Sequence, residues 1–441
     1  MSNTKIDASD LKTRFEAHFE ALEAGLNGKA QLPLHQIRRE AIENFKKLDF
    51  PNTKNEEWKY TNIAKILKPL YLLEVDSQLT QEQIKPFLFS EENAYSLVLV
   101  NGKFIPELSN YPETLLLSNL DEAFVQYPEL IAQTFAQYLE VETEVFTALN
   151  TALVEQGLCI KIQDHQVLDK PVFIHHFTDA QQGDIAVQPR LLILAGANSQ
   201  ASFLEKSDTL GNFQSLNNAV AEIFVGENAH IQHYKIQNDQ PTVFYIGTTQ
   251  VYQQKNSTYS NVTVSLNGAI IRNNLNILLD GENVESNMYG LYMLEGNTLV
   301  DNHSIADHKK PNSISNELYK GILDEKSIGV FNGKIYVRQD AQKTNAYQQN
   351  RNILLSDEAA INTKPQLEIW ADDVKCSHGA TTGNLDETAL FYLRSRGISQ
   401  TEARALLIQA FANEIIQMIQ LDSVQNYLSE IIAERLRHEK P

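Results

Sequence analysis

Residues that could do chemistry are concentrated in one stretch of the chain, between Trp370 and Gly383. Cys376 and His378 lie two residues apart there, so on an extended strand both side chains face the same side. A thiolate and an imidazole together can bind a soft or borderline metal ion. Lys375 would lower the pKa of the thiol, and nearby glycines would allow close approach. Cys376 and His378 are therefore a candidate metal site, with a buried cysteine beside a turn histidine as the alternative.

The number of ligands limits what this pair can hold. An iron–sulfur cluster usually needs four protein ligands, and this stretch offers one or two. If it binds a cluster, another chain must supply the rest, and the site must lie at an interface. A cysteine–histidine nucleophile is a further interpretation, but no partner acid or oxyanion element is evident.

Several other kinds of site are absent from the sequence. Gly28-Lys29-Ala30 and Gly333-Lys334-Ile335 come nearest to a phosphate loop, but both lack the Ser or Thr that would hold magnesium. There is also no dinucleotide fingerprint, zincin motif, nucleophile elbow or C-x-x-C pair. The chain alone therefore offers no recognisable nucleotide hydrolase or redox dithiol.

Six of the other histidines form three loose pairs, which we expect to be structural or exposed. Adjacent residues on a strand point to opposite faces, and so do residues three apart. The pairs are His175 with His176, His230 with His233, and His303 with His308.

Composition narrows the class of partner and compartment. The net charge of −19 argues against nucleic acid and anionic membranes, which favour clustered Lys and Arg. Two distant cysteines make no disulfide framework, so a reducing compartment fits best. The first twenty residues lack the apolar core of a signal peptide, and no stretch of about 18 apolar residues could span a membrane. We expect a cytoplasmic protein.

Three regions must position the candidate site. Residues 1–150 are predicted to form a helical and mixed domain. One helix carries an apolar stripe at Leu11, Phe15, Phe19, Leu22 and Leu26, and a second carries one at Ile37, Ala41, Phe45 and Leu48.

In residues 151–380 the sequence pattern changes. Short runs of β-branched and aromatic residues are separated there by Gly, Asn, Asp and Ser, which is typical of strands and turns. Similar turns recur at Asn198, Asn228, Asn256 and Asn283, with Lys326 and Glu358 as looser continuations. A degenerate repeat of this length predicts the coils of a β-solenoid. A sandwich of regular hairpins is the alternative.

Residues 381–441 are predicted to be a helical domain. Asp386 and the capping box Ser399–Glu402 mark two helix starts, and Gly397 a stop between them. The apolar faces of these helices must pack on the solenoid or on a partner protein. The candidate partner-binding residues are Leu407, Phe411, Ile415, Tyr427 and Ile431.

Three segments resemble the SufB/SufD family of the SUF iron–sulfur cluster assembly system. Ile369–Thr381, which contains K-C-S-H-G-A-T, is similar to the family signature, and Leu390–Ile398 matches the segment after it. Asn55–Thr61 looks like a segment typical of D-type members. The two-cysteine count also fits the D-type better than the B-type.

The resemblance implies a mainly β protein, with a right-handed parallel β-helix between N-terminal and C-terminal helical domains. It implies a non-catalytic scaffold that works with a B-type (SufB) paralogue and with the ABC-type ATPase SufC, docked on the C-terminal helices. A nascent cluster would form at the interface with the B-type chain, with the position of His378 contributing and the role of Cys376 open. The resemblance also implies reduced flavin at the level of the complex, with no residues assigned, and leaves open a homodimer when the B-type chain is missing.

Two alternatives remain at this point. One is a β-solenoid enzyme acting on acidic polysaccharide, for which Asp372 and Asp373 are the best acidic pair, although adjacent strand residues diverge. The other is the B-type paralogue itself.

Overall fold

The computed structural model describes residues 8–26, 31–89 and 93–438. Most strands belong to two long sheets that face each other, and successive strands alternate between the sheets. Neighbours within a sheet are parallel, apart from the short strands at the N-terminal end. This is a parallel β-solenoid flanked by helices, so the predicted fold class is confirmed and the hairpin sandwich is wrong.

Sheet 1 ends at the strand that carries the candidate site. Its strands in spatial order are β2 (Lys103–Phe104), β1 (Tyr95–Val100), β5 (Val172–Ala180), β8 (Gln200–Gly211), β10 (His230–Asn238), β12 (Thr258–Asn267), β14 (Glu285–Leu294), β16 (Ile314–Leu323), β18 (Asn345–Leu354) and β20 (Lys375–Gly383).

Sheet 2 lies opposite. Its strands in spatial order are β3 (Leu116–Ser118), β4 (Leu158–Ile162), β7 (Arg190–Ala195), β9 (Ser215–Val225), β11 (Val243–Gln253), β13 (Ile270–Leu279), β15 (Leu299–His308), β17 (Ile328–Val337) and β19 (Ala360–Ile369), and β6 (Ile185–Val187) also pairs with β9.

The repeated asparagine turns have the backbone conformation that the sequence predicts. Asn198, Asn228, Asn256 and Asn283 all have φ between 56° and 58°, the left-handed region that asparagine tolerates. Their side chains also stack: Asn228 Nδ2 donates to Asn198 Oδ1 at 3.2 Å, and Asn283 Nδ2 donates to Asn256 Oδ1 at 3.1 Å. The turns therefore hold successive coils in register.

The predicted continuation of this series is wrong. Asn312 and Lys343 have the matching left-handed angles, and each N–H donates to the next coil, to Gln342 O and Asp373 O. Lys326 and Glu358 lie instead in the turns that lead into β17 and β19, on the sheet 2 side. Because the coils differ in length, the sequence spacing did not show that Lys326 and Glu358 belong to the other set of turns.

Helices cover the outer face of sheet 2. The N-terminal helices pack their apolar stripes there, with Leu11, Phe15 and Phe45 fully buried in a cluster with Phe244 and Ile270. The helices on this face are α1 (Ala8–Gly25), α2 (Pro33–Lys47), α4 (Leu120–Gln126), α5 (Pro128–Thr134) and α6 (Val145–Leu153), with 3-10 turns at Glu56–Trp58 and Ile63–Lys65. The short helix α3 (Gln81–Ile84) and the 3-10 turns Lys85–Phe87 and Pro106–Leu108 lie instead against the outer face of sheet 1, in a cluster with Val98 and Phe177.

The segment Asn55–Thr61 fastens this layer to sheet 2. Arg272 donates to the Glu57 carbonyl at 2.7 Å, and its guanidinium lies 3.8 Å from the centre of the Trp58 ring. Glu57 pairs with Lys334 at 2.7 Å, and Thr61 Oγ1 donates to the buried carboxylate of Asp301 at 2.6 Å. The motif that resembles D-type members thus has a structural role here.

The C-terminal helices cover the outer face of sheet 1. They are α7 (Glu387–Ser395), α8 (Gln400–Ile416) and α9 (Asp422–His438). Asp386 and Ser399 cap the first two as predicted, and Gly397 has φ +89° between them. No described helix is long and apolar enough to cross a membrane.

The predicted boundaries at residues 150 and 380 stay predictions. Two elements cross them: α6 runs from Val145 to Leu153, and β20 continues to Gly383. In addition, β1 of the N-terminal region joins sheet 1.

The asparagine turns give a stability prediction. Asn256→Val forces a β-branched residue into the left-handed region and should cost about 1–2 kcal/mol relative to Asn256→Gly. Because both variants lose the same side-chain hydrogen bond, their difference isolates backbone strain. Urea unfolding monitored by circular dichroism measures it. Equal unfolding midpoints would show that the turn does not constrain the backbone.

Candidate functional site at the open end of the solenoid

The last coil of the solenoid, formed by β19 and β20, has no neighbour on its outer side. These strands are the terminal members of their sheets, and each is hydrogen-bonded on one edge within the described ranges. No residue of either strand is fully buried, whereas every other residue of β18 is buried along most of its length. The solenoid therefore ends in exposed strand edges, which natural proteins normally cover or block.

The candidate pair lies on this coil and faces the interior. Cys376 pairs with Ala346 and His378 pairs with Gln348. Ala346 belongs to the apolar cluster between the two sheets, and the half-buried Cys376 packs against that cluster. His378 is two residues farther along, on the same face, and is exposed. The predicted shared orientation is confirmed, and both side chains lie at the mouth of the solenoid interior.

The predicted effect of Lys375 is wrong. Burial raises the pKa of the Cys376 thiol, and the main opposing effect is a backbone hydrogen bond with Ala346. Lys375 is exposed, and as the adjacent strand residue it points to the opposite face. Without a metal or partner, Cys376 is therefore a protonated thiol at neutral pH.

The two open edges differ in their capacity to pair with another strand. Lys375 N donates to Thr344 O and Ala360 N donates to Ser327 O, both within their own sheets. Because parallel strands alternate the direction of their backbone groups, the N–H groups of Cys376 and His378 point outward. On β19 the corresponding outward position at its middle is Pro365, which has no N–H. The edge of β20 is thus the one suited to adding a strand.

A polar layer lies beneath His378 inside the solenoid. Gln348 Nε2 donates to Glu317 Oε2 at 2.7 Å, and Ser304 Oγ of sheet 2 donates to Glu317 Oε1. All three side chains are buried, and the layer rests on Met288, which pairs with Glu317. Because β16, β18 and β20 are adjacent, this layer reaches the surface at His378.

Burial makes Glu317 an unusual acid. It raises the pKa of this carboxyl to about 7, against the stabilising hydrogen bonds from Ser304 and Gln348. A buried carboxyl that titrates near neutrality is uncommon in a structural core and is frequent beside functional sites.

Two histidines from different pairs, His176 and His233, belong to one structural network. His176 Nε2 and His233 Nε2 each lie 2.8 Å from a carboxylate oxygen of Glu205, and Lys235 lies 3.5 Å from it. Burial alone would raise the pKa of Glu205, but these neighbours hold it well below its usual value. Sequence spacing did not suggest that histidines from two different pairs share one acid.

The third pair also diverges. His303 contacts Asp301 at 2.9 Å on the outer face of sheet 2. His308 points inward, to Ser313 and Ser315. In the part of the chain that the structure describes, no three His, Cys, Asp or Glu side chains lie close enough together to hold a metal ion. Cys376 and His378 therefore form at most part of a ligand set.

The five candidate partner-binding residues contact the chain itself. Ile415 is fully buried against sheet 1, and the other four are partly buried in the same cluster. Their role in binding a partner stays a prediction. The apolar side chains that this domain exposes are different ones: Phe391 (73% exposed), Tyr392, Leu406 and Met418.

The polysaccharide-enzyme alternative has no structural support. Asp372 and Asp373 lie in an exposed turn between β19 and β20. Helices cover much of the outer faces of both sheets. The outer face of sheet 2 keeps a cavity of about 710 Å³, lined by Arg272, His303 and Asp307 among others, but Asp372 and Asp373 are not part of it.

Two family models match the chain and together span most of it. Residues 9–174 match the SufBD protein N-terminal region, and residues 176–411 match the SufBD core domain of SUF-system iron–sulfur cluster assembly. The second match contains the whole candidate site.

Known proteins that are similar to this chain indicate the same family. An iron–sulfur cluster assembly SufBD family protein of Synechocystis sp. is 35% identical, with 96% of each chain covered. The iron–sulfur cluster assembly protein SufD of Escherichia coli is 30% identical, with 95% of each chain covered. SufD of Bacillus subtilis is 25% identical, with 92% of this chain and 94% of that protein covered.

The buried acid gives a pH-dependent prediction. Since the pKa of Glu317 is higher in the folded chain (about 7) than in the unfolded chain (about 4.5), the folded state retains the proton between these values. Stability should therefore fall as pH rises through this window. Glu317→Gln removes the ionisation and should be about 1–3 kcal/mol more stable than the parent at pH 8, with a much smaller difference at pH 5.

Thermal unfolding of both proteins across pH 5–8 measures this effect. Glu282→Gln, in an exposed turn, is the matched control and should show no such trend. A difference between parent and Glu317→Gln that does not vary with pH would contradict a neutral Glu317.

Proposed function

The chain belongs to the SufBD family of the SUF iron–sulfur cluster assembly system, and we propose that it is the D-type scaffold subunit. In this role it catalyses no reaction alone. It would hold part of a nascent cluster at an interface with a B-type paralogue, and would dock an ABC-type ATPase.

One observation carries this proposal: the coil that holds the Cys376–His378 pair is also the open end of the described solenoid. Cys376 and His378 face the mouth of the interior on β20, whose outward N–H groups have no strand beside them among the described residues. A partner strand added along this edge would bring its own side chains beside His378. The same contact would cover the exposed edge and complete the ligand set.

We assign the ligand role first to His378. Its imidazole is exposed at the mouth, and a neutral imidazole needs to lose no proton to bind iron. Cys376 is half-buried and its pKa is raised, so it would bind only by losing a proton that burial helps it keep. The cluster is cargo, and the paralogue would supply the remaining ligands.

The ATPase would dock on the C-terminal helices, beside the cluster site. The phosphate loop missing from this chain makes an outside ATPase necessary for any ATP-driven step. Phe391 and Tyr392 on α7 are exposed apolar side chains of the kind that anchor interfaces. They replace the more buried residues of α8 and α9 as the first candidates for this contact.

Three further expectations stay predictions. They are a cytoplasmic location, a homodimer when the B-type chain is missing, and reduced flavin in the complex.

The ligand role gives a direct prediction. His378→Ala in the reconstituted three-component complex should slow cluster formation about ten-fold or more, because losing a ligand costs at least as much as losing its supporting hydrogen bond. Visible absorbance under anaerobic conditions measures the rate. Ser377→Ala, an adjacent exposed position whose side chain faces the other way, is the control. An unchanged rate in His378→Ala would remove the ligand role.

The proposed docking surface on α7 gives a second testable prediction. Phe391→Ala should weaken co-purification with the ATPase by about 1–3 kcal/mol, or roughly ten- to hundred-fold in affinity, if this ring is an anchor. Phe213→Ala changes another exposed phenylalanine, on a solenoid turn, and should have no effect. Equal ATPase binding by the two variants would place the docking surface elsewhere.

A further inference from the structure

A line of inward-facing side chains connects the buried interior with the candidate ligand. Glu317, Gln348 and His378 are direct partners in the neighbouring strands β16, β18 and β20. Paired residues of parallel strands lie on the same face, about 4.8 Å apart. Gln348 is therefore the inward-facing residue next to His378, one coil deeper in the solenoid.

The oxygen of the Gln348 amide has no hydrogen-bond partner among the described residues. The amide Nε2 donates to Glu317, but Oε1 is buried and accepts no hydrogen bond from any described residue. The side chain is only 1% exposed, and a buried acceptor without a partner costs about 1–3 kcal/mol. Since the amide nitrogen is directed at Glu317 on one side, the oxygen is left for the remaining neighbours, among which His378 can donate.

The opposite sheet keeps space for this amide. A Cβ at Gly333 would lie 2.3 Å from Gln348 Nε2 and 2.9 Å from its Cδ, closer than a real side chain allows. Gly333 does not have a left-handed backbone angle. The space that the Gln348 amide occupies therefore explains why a glycine is at this position. The Gln348 amide is thus held from two directions, by Glu317 and by the wall at Gly333.

We propose that Gln348 is a positioning residue for His378. Its Oε1 accepts the N–H of one imidazole nitrogen, which fixes the ring and leaves the other nitrogen pointing to the cargo. Ser304 and Glu317 hold the amide in the required orientation. The inference deepens the proposed function and rests on it for the identity of the cargo, but the contact itself belongs to this chain alone.

The test observes the imidazole directly, on the full chain without cargo. Selective ¹⁵N and ¹³C labelling of histidine, with the His378 signal assigned by its loss in His378→Ala, reports which ring nitrogen carries the proton. The parent should show one dominant tautomer for His378. Gln348→Leu should shift it to the mixed tautomers of an exposed histidine such as His230.

Two further variants make the test specific. Gln349→Leu removes the same amide from the exposed face of the same strand and should leave the His378 signal unchanged. Gly333→Ala keeps Gln348 but displaces its amide, and should alter the His378 signal as Gln348→Leu does. The buried His233 and His308 report whether the solenoid is still folded, and Gln348→Met serves if the leucine variant does not fold.

The outcomes separate the inference from the proposed function. An unchanged His378 tautomer in folded Gln348→Leu or Gln348→Met overturns the inference, whatever cluster assembly does. A changed tautomer supports it, and cluster formation by the Gln348 variant complex should then be about 10–100-fold slower. A changed tautomer together with normal assembly by His378→Ala would keep the contact and overturn the ligand role.

Discussion

The hydrogen-bonding requirement of a parallel strand governs this molecule. Each strand must pair on both edges or leave a row of backbone groups exposed, and the inner strands of both described sheets pair on both edges. Antiparallel strands close the N-terminal end of the solenoid, and helices cover much of both outer faces. What remains open is one coil, and that coil carries Cys376 and His378. The exposed edge and the proposed partial ligand set thus lie at the same place.

The interior adds a second constraint to the same end. A carboxyl buried among apolar side chains is costly, and Glu317 is tolerated because Ser304 and Gln348 both donate to it. The resulting layer lies within two coils of the mouth and ends at His378. In a purely structural core, apolar side chains would fill these positions at lower cost. Their placement below the candidate ligand is what distinguishes this end of the solenoid from an ordinary edge.

The sequence predicted what depends on residue type at short range. Asparagine marks left-handed turns, which showed the coils at Asn198 to Asn283, and the two-residue spacing of Cys376 and His378 placed them on one face. It did not predict pairings that depend on coil length. Glu317 and Gln348 are 31 positions apart, and the shared acid of His176 and His233 lies on a third strand. Only the register of the finished solenoid brings these residues together.

The error on Lys375 has a simple physical origin. The effect of Lys375 on the pKa of the Cys376 thiol was predicted because the two residues are adjacent in the sequence. On a strand, adjacent side chains point to opposite faces, so the Lys375 side chain points away from the thiol. The apolar stripes of α8 and α9 showed that one face of each helix is buried, but a stripe does not say what buries it. Here sheet 1 buries much of these stripes, and a role of the five predicted residues in binding a partner stays a prediction.

The central claim is that this chain holds only part of a cluster site, which a second chain completes at the open coil. Iron and sulfide bound per chain after anaerobic reconstitution test it most directly, measured for the chain alone and for its mixture with a B-type paralogue. We expect the chain alone to bind no more cluster than its His378→Ala variant does. In the mixture with the paralogue, we expect a cluster whose amount depends on His378. A stable, stoichiometric cluster on the chain alone would contradict it.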